Sequence, residues 1–157
     1  GNTHYDSRNN CNAIIETATN TLMAGCKNTT IPNSVTTIGD GAFEGCESLT
    51  AIKIPNNVTW IGSEAFDGCE SLTAIKIPNS VTWIGSEAFR GCSSLTSITI
   101  PNSVTRIGDW AFWDCESLTS INYMGTMQQW SQIEFGGNWN IDIPAKVVHC
   151  TDGDVEI

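Results

Sequence analysis

Apolar residues in this chain recur as whole sets. Val35, Ile38, Ala42, Phe43, Cys46, Leu49, Ile52 and Ile54 return 23 residues later as Val58, Ile61, Ala65, Phe66, Cys69, Leu72, Ile75 and Ile77, and return again after that. Four copies begin at Ile31, Ile54, Ile77 and Ile100, with prolines at Pro32, Pro55, Pro78 and Pro101. A fixed period in this range marks a solenoid, in which each unit stacks on the next. Within a copy, Ile52 and Ile54 alternate with Ala51 and Lys53, the two-residue period of a strand. Pro32 lacks an N–H for a ladder and turns the corner, and Val35–Ile38 forms a second, shorter extended piece. The segment Gly39–Cys46 places Ala42, Phe43 and Cys46 at spacings of three to four, which predicts a short helical turn. One copy cannot bury eight apolar side chains by itself. Stacking does so, and sets successive phenylalanines about 5 Å apart along the axis.

Outside the copies the period fails, as terminal units of a solenoid do, because one of their stacking faces would otherwise be wet. Residues 1–10 are polar and predict a flexible tail. Residues 11–30 carry two short apolar stretches around Asn20 and predict a β-hairpin cap. With its turn centred between Ala18 and Thr19, Cys11 and Cys26 stand opposite each other as a candidate disulfide. After Tyr123, Thr126 is placed to cap a short helix whose Met127, Trp130 and Ile133 share one side. A strand over 145–150 and an Asp152-Gly153 turn follow, with Trp130 set to cover the last copy. The whole reads as one domain over 1–157, with four repeats over 31–123 and a C-terminal cap over 124–157.

Charge narrows the partners. The net charge is −10, which excludes nucleic acid and anionic membrane as main partners, since both require a basic patch. Ten of the 17 acidic residues lie in or just beyond the Gly-x-x-Ala-Phe-x-x-Cys segments, as a solvated face. No run of about 18 apolar residues is present to span a membrane. The chain opens on Gly1-Asn2-Thr3 without a signal pattern, so a targeting segment is expected to have been removed from this chain.

Counted alone, Cys46, Cys69, Cys92 and Cys115 suggest a metal or redox array. Their spacing of 23 is unlike a zinc pair, and they share the core positions of phenylalanine and leucine, so they read as buried structural thiols. His149 and Cys150 are strand neighbours that point to opposite faces, and Asp152-Gly153-Asp154 is far short of a calcium loop. No metal, cofactor or catalytic residue is therefore assigned, and an enzyme is not expected.

The pattern Ile-Pro-x-x-Val-x-x-Ile-Gly-x-x-Ala-Phe-x-x-Cys-x-x-Leu-x-x-Ile resembles the BspA-like, or Treponema pallidum type, leucine-rich repeats over about residues 26–123. The resemblance implies a bacterial or protist protein at the cell surface or secreted, which binds host or matrix proteins and carries no catalytic residues. The expected fold is an α/β solenoid of 23-residue leucine-rich repeats, with a short strand ladder, short helical turns and a cap at each end. Positions where the copies differ then carry specificity. One outward column runs Lys53, Lys76, Thr99, Asn122 beside small residues, and a second runs Thr37, Trp60, Trp83, Arg106. Trp110 and Trp113 are two further departures, expected beneath the C-terminal cap. Tryptophan and arginine are the residues most enriched in binding hot spots. The favoured function is a non-enzymatic extracellular module for adhesion to a protein ligand, with Lys53, Lys76, Thr99, Asn122, Trp60, Trp83 and Arg106 as contacts. The alternatives are a glycan-binding module that stacks sugar rings on exposed tryptophans, and a structural spacer in a larger surface protein. Burial of both Trp60 and Trp83 would favour the spacer.

Overall fold

Each 23-residue period makes one coil, and each coil lays one strand in each of two sheets. The computed structural model describes residues 3–157. Along the chain the elements are β1 (Tyr5–Asp6), β2 (Ile14–Glu16), β3 (Thr21–Ala24), β4 (Thr37–Ile38), β5 (Ala51–Lys53), β6 (Trp60–Ile61), β7 (Ala74–Lys76), β8 (Trp83–Ile84), β9 (Ser97–Ile100), β10 (Arg106–Ile107), β11 (Ser120–Tyr123), α1 (Met127–Trp130), β12 (Glu134–Phe135), β13 (Val147–Cys150) and β14 (Gly153–Glu156). The first sheet, of two-residue strands through the repeats, runs β1-β2-β3-β4-β6-β8-β10-β12, and the second, of longer strands, runs β14-β13-β11-β9-β7-β5. Pairing is parallel from coil to coil and antiparallel only at the ends, where β1, β2 and β3 open the first sheet and β14 closes the second.

The interior follows the period closely. Phe43, Phe66, Phe89 and Phe112 form one column, with ring centroids 5.2, 5.3 and 5.5 Å apart and planes within 4° of parallel. Trp139 meets Phe112 edge-on and ends the column. Beside it, the thiols of Cys69, Cys92 and Cys115 each donate to the carbonyl of the phenylalanine one coil back, at 3.0–3.2 Å. Burial in this apolar column pushes the Cys69 and Cys115 thiols up to about 12, and Cys92 upward as well.

Gly39–Cys46 and its copies are not helical. The amide of Phe43 donates to Ala65 O, Phe66 to Ala88 O and Phe89 to Ala111 O, so these donors bond the next coil and not their own turn. Gly41 and Gly45 have positive φ, and Glu64, Glu87, Trp110 and Asp114 hold the same left-handed conformation in the later copies. Two such residues per coil break any helical run. Apart from a three-residue 3-10 turn at Arg8–Asn10, the helix among the described residues is α1, started by a capping box between Thr126 and Gln129.

Both ends differ from expectation in detail. Residues 1–2 of the expected flexible tail lie outside the described residues, whereas Tyr5–Asp6 adds a strand to the first sheet and Arg8 pairs with Asp6 at 2.9 Å. The β2–β3 turn does centre between Ala18 and Thr19, with Glu16 opposite Thr21 and Ile15 opposite Leu22. A bulge between Ile14 and Ile15 then shifts the register, and the ladder stops at Ile14 and Ala24. Cys11 and Cys26 fall beyond it as free thiols, one buried and one exposed, so the ladder does not set them opposite each other. Cys46, expected to be buried with its copies, is half-buried, because no coil carries a phenylalanine carbonyl beneath it and its sulfur lies 3.9 Å from Gly25 O.

Candidate binding surfaces

Strand alternation sends the neighbours of each buried isoleucine outward, and the register aligns them into rows. On the second sheet Lys53, Lys76, Thr99 and Asn122 are in register, and the row continues to His149 and Asp154. His149 Nδ1 lies 2.9 Å from Asp154 Oδ1, while Cys150 is on the other face. Neither Lys53 nor Lys76 has an ion-pair partner among the described residues. Beside Lys76 runs an open groove of about 800 Å³, lined by Lys76, Thr99, Pro78, Asn79, Pro101 and Met124. Met124 stands 23 residues after Pro101, so it occupies the proline position of a fifth coil, and it is exposed. Spacing alone could have found it.

On the first sheet the outward row is Thr37, Trp60, Trp83 and Arg106, and its registered neighbours extend it at both ends. Thr21 and Glu16 precede Thr37, and Glu134 follows Arg106. Trp60 and Trp83 stack with centroids 4.1 Å apart, and the Arg106 guanidinium lies 4.5 Å over the Trp83 ring. Trp60 is 38% exposed and Trp83 is half-buried. Both are not buried, so the criterion set for a plain spacer is not met. Glu16, Thr21 and Glu134 were invisible to a 23-residue count, because the caps do not keep the period.

The third corner is acidic, with Arg90 as its one basic residue. Arg90 pairs with Glu87 at 2.7 Å and approaches Asp67 at 3.8 Å, and its guanidinium lies 4.6 Å over Trp113. Glu44, Glu64 and Asp67 carry oxygens within 4.8 Å of one another. Partial desolvation, then the neighbouring carboxylates Glu87, Glu44 and Asp67, raise the Glu64 carboxyl. Trp113 does meet the C-terminal segment, donating from Nε1 to Asp142 at 3.1 Å. Trp110 is not covered: it is 40% exposed, since its left-handed backbone turns the side chain outward. Trp130 is buried against Tyr123, Phe135 and Trp139.

A family model described as a BspA type leucine rich repeat region matches residues 17–142 in six copies. Three crystal structures resemble the fold. A leucine rich cell surface protein from Faecalibacterium prausnitzii is 29% identical with a TM-score of 0.65, over 84% of this chain and 42% of that one. A leucine-rich repeat protein from Bacteroides ovatus is 29% identical with a TM-score of 0.56, over 85% and 39%. The leucine rich repeat protein of Treponema pallidum, 24% identical with a TM-score of 0.54 over 93% and 82%, is alike in fold. The chain thus spans less than half the length of the first two. No curated protein matches. No helix among the described residues is long and apolar enough to cross a membrane.

Proposed function

The chain belongs to the BspA-type leucine-rich repeat family, and from that premise we propose a non-enzymatic binding module, secreted or held at the cell surface, for adhesion to a protein ligand. Residues 31–123 serve as the binding array, with 11–30 and 124–157 as its caps. The observation that carries this reading is the first-sheet row, where Trp60 and Arg106 stay exposed around a stacked pair. A large aromatic pair left at the surface of an acidic, polar shell is the composition of a protein hot spot. The second-sheet row Lys53, Lys76, Thr99 and Asn122, beside its groove, offers a further contact surface. The F. prausnitzii relative is called a cell surface protein, and that supports the location.

Capture of a panel of extracellular-matrix proteins, run beside a glycan array, tests the reading. Wild type is expected to retain a matrix protein, and the Trp60→Ala/Trp83→Ala pair to lose it while remaining folded. Retention of glycans alone would move the function to sugar binding, for which the exposed face of Trp60 is the feature in favour.

A further inference from the structure

The first-sheet row is filled unevenly about its tryptophan pair. Read along the register from Glu16, beyond which Tyr5 pairs, its seven members run Glu16, Thr21, Thr37, Trp60, Trp83, Arg106, Glu134. All seven stand on the outer face, since their strand neighbours Ile15, Leu22, Ile38, Ile61, Ile84 and Ile107 are buried and Phe135 packs against the core. On one side of the pair, Trp83 is covered by the Arg106 guanidinium at 4.5 Å, with Glu134 next in line. On the other side, Trp60 faces two threonines before the next carboxylate, Glu16. Neighbouring strands lie about 4.8 Å apart, so the two threonine steps leave a notch about 10 Å long between the indole and the carboxylate. Its wall is the Trp60 face, 38% of that residue being exposed, and its floor is the side chains of Thr37 and Thr21.

We propose that this notch receives an arginine side chain of the protein ligand, stacked on Trp60 as Arg106 stacks on Trp83. The proposal rests on the protein-binding reading above and names the group that the tryptophan face takes. Three features point to arginine. The chain's own Arg106 demonstrates the fit of a planar guanidinium on this row. The face of an indole attracts a cation, and the Glu16 carboxylate at the far wall, which accepts from Thr19 Oγ1 and keeps its charge, adds to that attraction. The net charge of −10 draws in a basic ligand and repels an acidic one. A neutral sugar ring would use the indole but neither the carboxylate nor the charge.

The test uses N-acetyl-arginine amide, with N-acetyl-glycine amide and N-acetylglucosamine as comparison probes, read at the Trp60 indole N–H in proton–nitrogen NMR spectra. Arginine amide is expected to shift that signal saturably, and the glycine probe to leave it in place. Thr37→Arg fills the notch from within and is expected to abolish the shift. Glu16→Gln is expected to weaken it roughly two-fold, as for an exposed ion pair. Should Thr37→Arg fail to fold, Trp60→Thr removes the wall, and the response at the Thr21 and Thr37 amides should vanish. The assignment is overturned if arginine amide leaves Trp60 unmoved, if the shift survives in Thr37→Arg, or if the sugar shifts Trp60 and arginine does not. Loss of matrix-protein capture in Trp60→Ala/Trp83→Ala without any arginine response would remove the arginine and keep the binding face.

Discussion

The phenylalanine column inside the coil and the tryptophan row outside it are products of one register, yet they use it in opposite ways. Inside, four identical rings stand at 5.2–5.5 Å with planes within 4°, as near to translation as a chain comes. Outside, the register brings together seven residues of four kinds, and the two indoles close to 4.1 Å at 21°. Interior positions are bounded above and below by their own copies, so any change of size is felt by two neighbours. Outward positions are bounded only along the row, and there substitution changes what is presented without disturbing the coil. Repetition builds the scaffold, and departure from it makes the surface.

That contrast can be broken most sharply from the inside. Phe66→Ala leaves a gap between Phe43 and Phe89 and is expected to cost about 3–5 kcal/mol, seen as a lower urea midpoint. An unchanged midpoint would mean the column is not what holds the coils together. Gly85→Ala comes next. A methyl there would sit 2.5 Å from the Gly62 carbonyl carbon and the Ser63 amide nitrogen, both backbone atoms of the coil below. The expected loss is about 1–3 kcal/mol, the range for overpacking.

Alkali gives a graded test of the same interior. The Cys69 and Cys115 thiols sit at about 12 in the fold, against 9.0 for a free thiol. Between those values the folded protein keeps protons that the unfolded chain has lost. The stability tied to these thiols is therefore complete below pH 9.0 and drains away as the pH rises toward 12. Urea midpoints measured across that window should fall, and Cys69→Ala should flatten the slope. A slope unchanged by that variant would assign the alkaline loss elsewhere. The smallest effect belongs to the outer row: Trp60→Ala should lower stability by about 0.5–1.5 kcal/mol, the worth of an aromatic pair. A loss as large as that of Phe66→Ala would erase the distinction between scaffold and surface.

The sequence made the column legible because each of its members is repeated by type. Phe43 through Phe112, the corner prolines and the thiols could be placed from spacing alone. The third corner was less legible, because apolar spacing at Ala42, Phe43 and Cys46 fits a helix as well as a pair of turns. The deciding signal was present in the first copy, where glycine occupies both left-handed positions, Gly41 and Gly45. Glu64, Glu87 and Trp110 mask the first of them in later copies, and Asp114 the second in the last. The ends were harder still. Cys46 carries the same letter as Cys69, but its burial depends on what lies beneath it, and a cap without the period gives no such information. For the same reason the row could be read from Thr37 to Arg106 but not to Glu16 or Glu134, which strand pairing alone brings into line.

The indole pair also has an optical consequence. Two identical chromophores held 4.1 Å apart with their ring planes 21° from parallel share their excited state. Their transition dipoles couple, and the circular dichroism of the protein should carry a paired band of opposite signs over the tryptophan absorption. That band depends on the geometry of the pair and on no added label. It vanishes when either ring turns away, so the surface of the array reports on itself.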